Sequence, residues 1–377
     1  MLDNMWTPKQ SPLQGLGGLW GGNFGNLVGG AGALYDFAGA TFTGLTRSKD
    51  GPSLSQARTL TTGTSASNFK NDTSFFNVSS GIMVWTVPAD GVYRIKVAGG
   101  RGGVNYDYDF TATQDAPGAI MQADFELEQG NYLAMVVASE GDPGYGNVNT
   151  GSCAGGGTFI YNTSAQSSPF TGGIGGNTLL IAAGGGGSTC PPGQQGNNSG
   201  SNKGVPGTAA PSPNGTGAQG TPGSNGTGGS TGGGTSYDGG AGAGWTSNCN
   251  DDVCGKRYSG GSDTSQSNPM HGGWGGGGGA HDGTRQEYVP AVGENVPWAH
   301  GRAGGGGYSG GCGSYYSNVG SGGASYCKNT AETNTLETSN GTFSTSGSEH
   351  STAYSGNVGN LGAFNAGPGY CQITYMS

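Results

Sequence analysis

The sequence predicts an all-β protein, a β-sandwich into which a long glycine-rich region is inserted. The first observation behind this prediction is a series of short apolar or alternating segments, separated by turn residues, that extends to about residue 183. The second is the glycine content, 85 of 377 residues, which disfavours helices because each glycine costs about 1 kcal/mol relative to alanine in a helix. The third is one more alternating segment at the C-terminus, which must return to pair with the earlier strands.

Seven segments carry the strand pattern and are bounded by Gly, Pro, Asp or Asn turns. They span residues 82–87, 92–98, 119–127, 132–138, 158–161, 178–183 and 369–375. The second of them alternates apolar and polar residues, which is typical of a strand buried on one face. Seven short strands are sufficient for a sandwich.

These segments divide the chain into four predicted regions. We assign residues 1–50 to an extended N-terminal arm and 51–183 to the first strands of the sandwich. Residues 184–365 form the glycine-rich insertion, and 366–377 contain the closing strand.

Pure glycine runs at 184–187, 275–279 and 304–307 predict a bundle of polyglycine II helices within the insertion. In this extended, threefold geometry the backbones pack closely and exchange lateral hydrogen bonds, which offset the entropy cost of ordering glycine. The low-charge stretch 196–236 is also compatible with a disordered linker.

Charge and composition exclude several functions. A net charge of −9 with only 14 Lys and Arg disfavours binding to nucleic acid, and no apolar run is long enough for a membrane span. We find no nucleophile elbow, no paired carboxylates and no nucleotide-binding loop before a helix. The sequence therefore predicts a protein that is not an enzyme, with no catalytic residue, cofactor or bound metal.

Seven cysteines leave at least one unpaired if all disulfides are intrachain. Cys249 and Cys254 are close enough in sequence to form a disulfide that closes a small loop. The oxygen-bearing residues between them also suit Ca²⁺, but their spacing is not that of an EF-hand.

Aromatic residues recur through the low-charge insertion and form a candidate recognition surface, because aromatics add contact area at little entropic cost. The candidates are Trp245, Tyr258, Trp274, Tyr288, Trp298, Tyr308, Tyr315 and Tyr316. The alternative is that these side chains seal the edges of the glycine bundle.

The N-terminal arm is apolar yet lacks a helical or strand period, and it has no secretory signal pattern. Such a segment orders by lying against another surface, and we predict that it anchors the protein to a partner. A disordered terminus is the alternative. The candidate anchor residues are Leu13, Leu16, Leu19, Trp20 and Phe24.

The ordered set of motifs resembles a glycine-rich domain best known from the extracellular part of anaplastic lymphoma kinase and leukocyte tyrosine kinase. The resemblance covers roughly residues 75–377 and rests on Trp85-Thr86-Val87-Pro88, Tyr93-Arg94-Ile95, Gly118–Met121, Phe125–Gly130, Leu179–Gly187, Gly272–Ala280, Gly304–Gly311 and Phe364–Gly367. It implies a tumour-necrosis-factor-like or jelly-roll sandwich with inserted polyglycine II helices.

Similar domains occur in phage proteins, some with a comparable Pro-Leu-x-Gly-Leu leader. The resemblance therefore implies a virion protein made in the host cytoplasm, and specifically a tail-fibre adhesin that contacts a host-surface glycan or protein. It further implies a homotrimer joined to other virion proteins through the arm. The alternative is a capsid decoration or head-fibre protein without a specific receptor.

Overall fold

The structure is a computed structural model, and it describes the chain from residue 32 with several gaps. The described residues are 32–106, 116–145, 151–169, 178–189, 220–231, 239–249, 253–262, 270–280, 286–290, 293–297, 301–314, 320–328, 335–337, 343–344 and 365–376.

Short strands dominate these residues, with two short helices near the start. The strands are β1 (Gly39–Thr43), β2 (Thr61–Thr62), β3 (Phe76–Ser79), β4 (Ile82–Thr86), β5 (Gly91–Ala98), β6 (Asn105–Tyr106), β7 (Ile120–Leu127), β8 (Tyr132–Val136), β9 (Gly144–Tyr145), β10 (Thr158–Thr163), β11 (Thr178–Ala183), β12 (Gln286–Val289), β13 (Glu294–Pro297), β14 (Tyr326–Cys327), β15 (Thr335–Glu337), β16 (Phe343–Ser344) and β17 (Tyr370–Tyr375). The helices are α1 (Leu54–Leu60) and α2 (Ala66–Phe69).

Two sheets form a sandwich, which confirms the predicted all-β class. The seven-stranded sheet has the order β16-β15-β7-β5-β17-β1-β2, and the six-stranded sheet has the order β14-β11-β10-β8-β4-β3. All seven segments predicted as strands are strands. Their apolar residues face a shared core because alternate side chains of a strand point to one face.

The core between the sheets is unusually aromatic. Trp85, Phe42, Phe69, Phe76 and Tyr93 are all fully buried in one cluster. Their rings meet at tilted or edge-to-face angles with centroids about 6 Å apart, the arrangement that aromatic quadrupoles favour. This packing fixes the two sheets face to face.

The predicted boundary of the N-terminal arm at residue 50 is wrong. Strand β1 lies inside the seven-stranded sheet, paired with β17 from Gly39↔Thr374 to Thr43↔Tyr370. Phe37, just before β1, is fully buried in the core. The sandwich therefore begins no later than Phe37. A domain that started at residue 51 would lack this core side chain and the internal strand β1.

The closing strand lies inside the seven-stranded sheet and pairs with earlier strands, as the C-terminal segment predicts. Strand β17 pairs with β5 on one side and β1 on the other. The predicted insertion also contributes strands, since β14 pairs with β11 and β15 pairs with β7. Residues 184–365 are therefore not purely an excursion from the sandwich; parts of them extend both sheets.

Candidate functional site: a glycine-packed pole

Glycine-rich segments gather at one end of the sandwich. Strands β1, β5, β8 and β11 end there, and β7, β10 and β17 begin there, as their antiparallel registers require. We call the glycine-rich segments that continue from this end, with those of the insertion, the glycine layer. It comprises residues 99–103, 116–118, 139–144, 151–157, 184–189, 220–230, 239–244, 253–261, 270–280, 301–314 and 320–325.

Backbone hydrogen bonds in the glycine layer repeat with a period of three. Along the segment 99–103, successive N–H groups donate to different neighbouring segments, and every third N–H returns to the same one. The donor–acceptor pairs are Gly99–Ala119, Gly102–Ala116, Gly100–Gly156 and Gly103–Cys153, with N···O distances of 2.8 to 3.0 Å. The chain therefore bonds laterally to several neighbours, unlike a sheet strand, which pairs with two.

The same repeat recurs in the insertion. The N–H groups of residues 304 and 307 donate to the segment 240–243, and those of residues 305 and 308 donate to the segment 321–324. The pairs are Gly304–Gly240, Gly307–Ala243, Gly305–Ser321 and Tyr308–Ala324, at 2.7 to 3.3 Å. Glycines from before residue 184 and from the insertion thus form one hydrogen-bonded body.

Several glycines of this body leave no room for a side chain. A Cβ on Gly305 would lie 2.7 Å from the amide nitrogen of Gly323 and 2.9 Å from the carbonyl carbon of Gly185. A Cβ on Gly157 would lie 2.8 Å from the Cα of Gly307. Because these obstacles are backbone atoms of hydrogen-bonded segments, they cannot rotate away, and glycine is required for the close approach.

Three aromatic residues of the predicted recognition surface are buried, which corrects that prediction for them. Trp245, Tyr258 and Trp274 are only 5 to 7% exposed. They pack on the outer face of the six-stranded sheet, where the Phe159 ring stacks 5.8 Å from Trp245 and meets Tyr258 edge-on at 5.9 Å. The physical reason is that the outer face of this sheet is itself apolar and is stabilised when other side chains bury it. The three aromatic side chains bury it and thereby pack the glycine layer against the sheet.

Two of the other aromatic candidates lie in the described part of the chain. Tyr308 is half-buried and stacks on Tyr326, with ring centroids 4.6 Å apart, whereas Tyr288 is 55% exposed. The remaining three lie outside the described residues: Trp298, Tyr315 and Tyr316.

Cys249 and Cys254 form a disulfide, as their spacing predicts. Both are buried and pack with Ala241 in a small cluster. The bond closes a loop on the segment that carries Trp245, and it thereby holds part of the glycine layer together. Cys153 and Cys371 are buried free thiols in the described part of the chain.

A group of ionisable residues lies where the glycine layer meets the segment after β1. One carboxylate oxygen of Asp142 accepts a hydrogen bond of 2.8 Å from the backbone N–H of His271. Burial raises the pKa of Asp142, and the nearby Glu294 raises it further, although the His271 amide and imidazole and Arg47 act in the opposite direction. Burial also raises the pKa of the Cys153 thiol, and Asp142 adds to this effect. Asp142 therefore resists ionisation in the folded protein.

We expect the Asp142→Asn variant to gain stability relative to the wild type as the pH rises above 3.8, the ordinary aspartate value. In that range the folded wild type retains a proton that the unfolded chain releases, so its free energy of unfolding falls with pH by about 1.4 kcal/mol per unit of pKa difference. Asparagine does not titrate, and its side-chain oxygen can still accept the hydrogen bond from the His271 N–H.

Urea titrations of both proteins between about pH 4 and pH 7 measure the difference in the free energy of unfolding, with the exposed Asp36→Asn variant as the matched control. A pH-independent difference between wild type and Asp142→Asn would contradict the raised pKa.

The chain enters the sandwich at the pole opposite the glycine layer. The Leu34 N–H donates to the carbonyl of Pro88 at 2.9 Å, and the Gln129 side-chain amide donates to the carbonyl of Gly32. Near the other end of the chain, the Met376 N–H donates to the carbonyl of Val92. We call this end, formed by the β4–β5 and β7–β8 turns, the entry pole. The anchor candidates Leu13, Leu16, Leu19, Trp20 and Phe24 lie outside the described residues.

No group of three or more His, Cys, Asp or Glu side chains in the described part of the chain is placed to hold a metal ion. Likewise, none of the helices seen there is long and apolar enough to cross a membrane. Comparison with family models finds no match, and comparison with curated proteins finds none either.

Proposed function

We propose that this protein is a non-enzymatic structural protein of a phage virion, a tail-fibre adhesin that presents its glycine layer to the host surface. The observation that carries the proposal is the polarity of the domain. Residues 32–34 and Met376 lie at the entry pole, whereas the glycine layer and its loops lie at the opposite pole. A domain that is attached through the entry pole would present the glycine layer at its far end to a binding partner.

The threefold hydrogen-bond repeat supports the finer architecture that we propose, a bundle of polyglycine II helices on a tumour-necrosis-factor-like sandwich. A polyglycine II chain has three residues per turn, so every third N–H points to the same neighbour. Such a bundle is rigid because each backbone is restrained on several sides. A rigid mount reduces the conformational entropy that loops lose when they bind a receptor.

The proposed assembly is a homotrimer, or attachment to a trimeric fibre, through the apolar arm before residue 32. The arm contains leucine, tryptophan and phenylalanine with hardly any charge, and apolar surface of this kind is stabilised by burial against a partner. Because the arm precedes the entry pole, docking it on the particle would leave the glycine layer facing outward.

The test is the position of the protein on the intact particle. We expect antibody fragments raised against the full-length chain to label the tail tip in electron micrographs. Labelling spread over the capsid would instead support a decoration or head-fibre protein, and unlabelled particles from a producing host would overturn a virion role altogether.

A further inference from the structure

The hairpin β12–β13 presents an exposed tyrosine on a firmly packed base. One face of the hairpin carries Val289 and Val296, which are buried against Val104, Tyr106 and Tyr145. Strands β6 and β9, which supply this base, follow the glycine segments 99–103 and 139–143. The hairpin therefore lies on the glycine-layer side of the molecule, away from the entry pole.

The opposite face of the hairpin carries Tyr288 and Asn295, which are cross-strand partners. Both are exposed, and Tyr288 is one of two large apolar residues with substantial exposure in the described part of the chain, the other being Leu34 at the entry pole. An exposed ring of this size loses favourable burial. Its backbone is already ordered in the hairpin, and tyrosine has only two rotatable side-chain bonds, so a contact with the ring costs little conformational entropy.

Charge and size restrict what this face can bind. Glu287 and Glu294 lie on the valine face of the hairpin, where Glu294 pairs with Arg47, so the face of Tyr288 and Asn295 carries no charge from either. The whole chain has a net charge of −9, which disfavours a polyanion as the ligand. The described hairpin offers eight residues, whereas a standard protein–protein interface uses about 20 to 30 residues on each side. The face thus matches a small, uncharged ligand better than a protein.

We propose that Tyr288 and Asn295 form a binding site for a neutral oligosaccharide. The negative face of the tyrosine ring attracts the polarised C–H groups of a sugar ring, and the asparagine amide supplies both donors and an acceptor for sugar hydroxyls. This inference rests on the proposed adhesin function and names the substrate class and the contact residues.

Binding of the full-length chain to an array of neutral hexose and N-acetylhexosamine oligosaccharides, with sulfated versions of the same sugars, tests the site. We expect binding to neutral sugars only. Tyr288→Ala should lose about tenfold or more in affinity, in the range of a hot-spot residue. Tyr288→Phe should keep most of it, and Asn295→Ala should fall between them. Leu34→Ala is the matched control, an equally simple truncation at the other pole, and should bind as the wild type does.

Other outcomes separate this inference from the proposed function. A preference for sulfated sugars, or equal binding by Tyr288→Ala with an unchanged unfolding midpoint, overturns the site. Wild-type binding to host cells that survives periodate oxidation of the glycans but not protease treatment also overturns it, in favour of a protein receptor, while the adhesin function stands. Capsid labelling together with no binding to host cells overturns the adhesin function and this site with it.

Discussion

Replacing Gly305 with alanine will destabilise the protein by about 3 kcal/mol or more. The new methyl group would overlap backbone atoms of Gly185 and Gly323, which belong to two different segments of the glycine layer. Overpacking a rigid core costs about 1 to 3 kcal/mol, and each lateral hydrogen bond lost as the segments separate adds about 1 kcal/mol. The Gly305 N–H itself donates to Ser321, and its carbonyl accepts from Gly311, so at least two such bonds are strained together.

Gly367→Ala is the matched control for this variant. The nearest atoms to a Cβ at that position are side-chain oxygens 3.9 Å away, and its φ is not in the left-handed region. Such a substitution is neutral or stabilises slightly, because alanine reduces the entropy of the unfolded chain. Denaturant unfolding of both variants, followed by circular dichroism, makes the comparison. Equal stabilities for the two would show that the glycine layer is loosely packed and that its close contacts are not required.

The sandwich strands are predictable because their signal is local. The segment Val92–Val97 alternates apolar and polar residues, and the structure buries one face of it, with Tyr93, Ile95 and Val97 in the core. Strand β1 carried a weaker signal, Ala40 and Phe42 alternating with Gly and Thr, within a glycine-rich leader. Its pairing with β17, more than 300 residues away in sequence, leaves no local trace.

The glycine layer is predictable as a kind of packing but not in its connections. Glycine has no side chain to distinguish one neighbour from another, so nothing in the sequence states that Gly100 bonds to Gly156. The layer also includes segments such as 99–103 and 151–157, which sequence analysis assigned to the region of the first strands. Composition marks only the long runs, whereas short glycine segments at strand ends take part equally.

The buried aromatics show why a recognition surface is difficult to read from sequence. Trp245 and Trp274 stand in polar, glycine-rich surroundings that suggest exposed loops, yet both cover the outer face of the six-stranded sheet. That face is apolar because Val84, Val136 and Phe159 point outward from it, so it is stabilised when other side chains cover it. Tyr288, between Glu287 and Val289, lies on the free face of a hairpin. Composition marks all three residues as candidates, and only the fold separates the two buried side chains from the exposed one.

Deleting residues 1–31 will leave the domain folded and prevent its incorporation into particles, whereas deleting residues 1–43 will unfold it. The shorter deletion removes none of the described contacts, but it removes the apolar arm that we propose as the anchor. The longer one removes β1 and with it Phe37 and Phe42, both fully buried, and burying such a side chain stabilises a core by about 3 to 5 kcal/mol relative to alanine. Losing both rings costs about 6 to 10 kcal/mol. Losing the five registered pairs with β17 as well makes the total comparable to the roughly 5 to 15 kcal/mol that stabilises a typical domain. Thermal unfolding of the two purified truncations measures whether each one folds, and the copy number of each in particles measures its incorporation. Normal copy number of the 1–31 deletion would show that the arm is not the anchor, and a folded 1–43 deletion would show that β1 is dispensable.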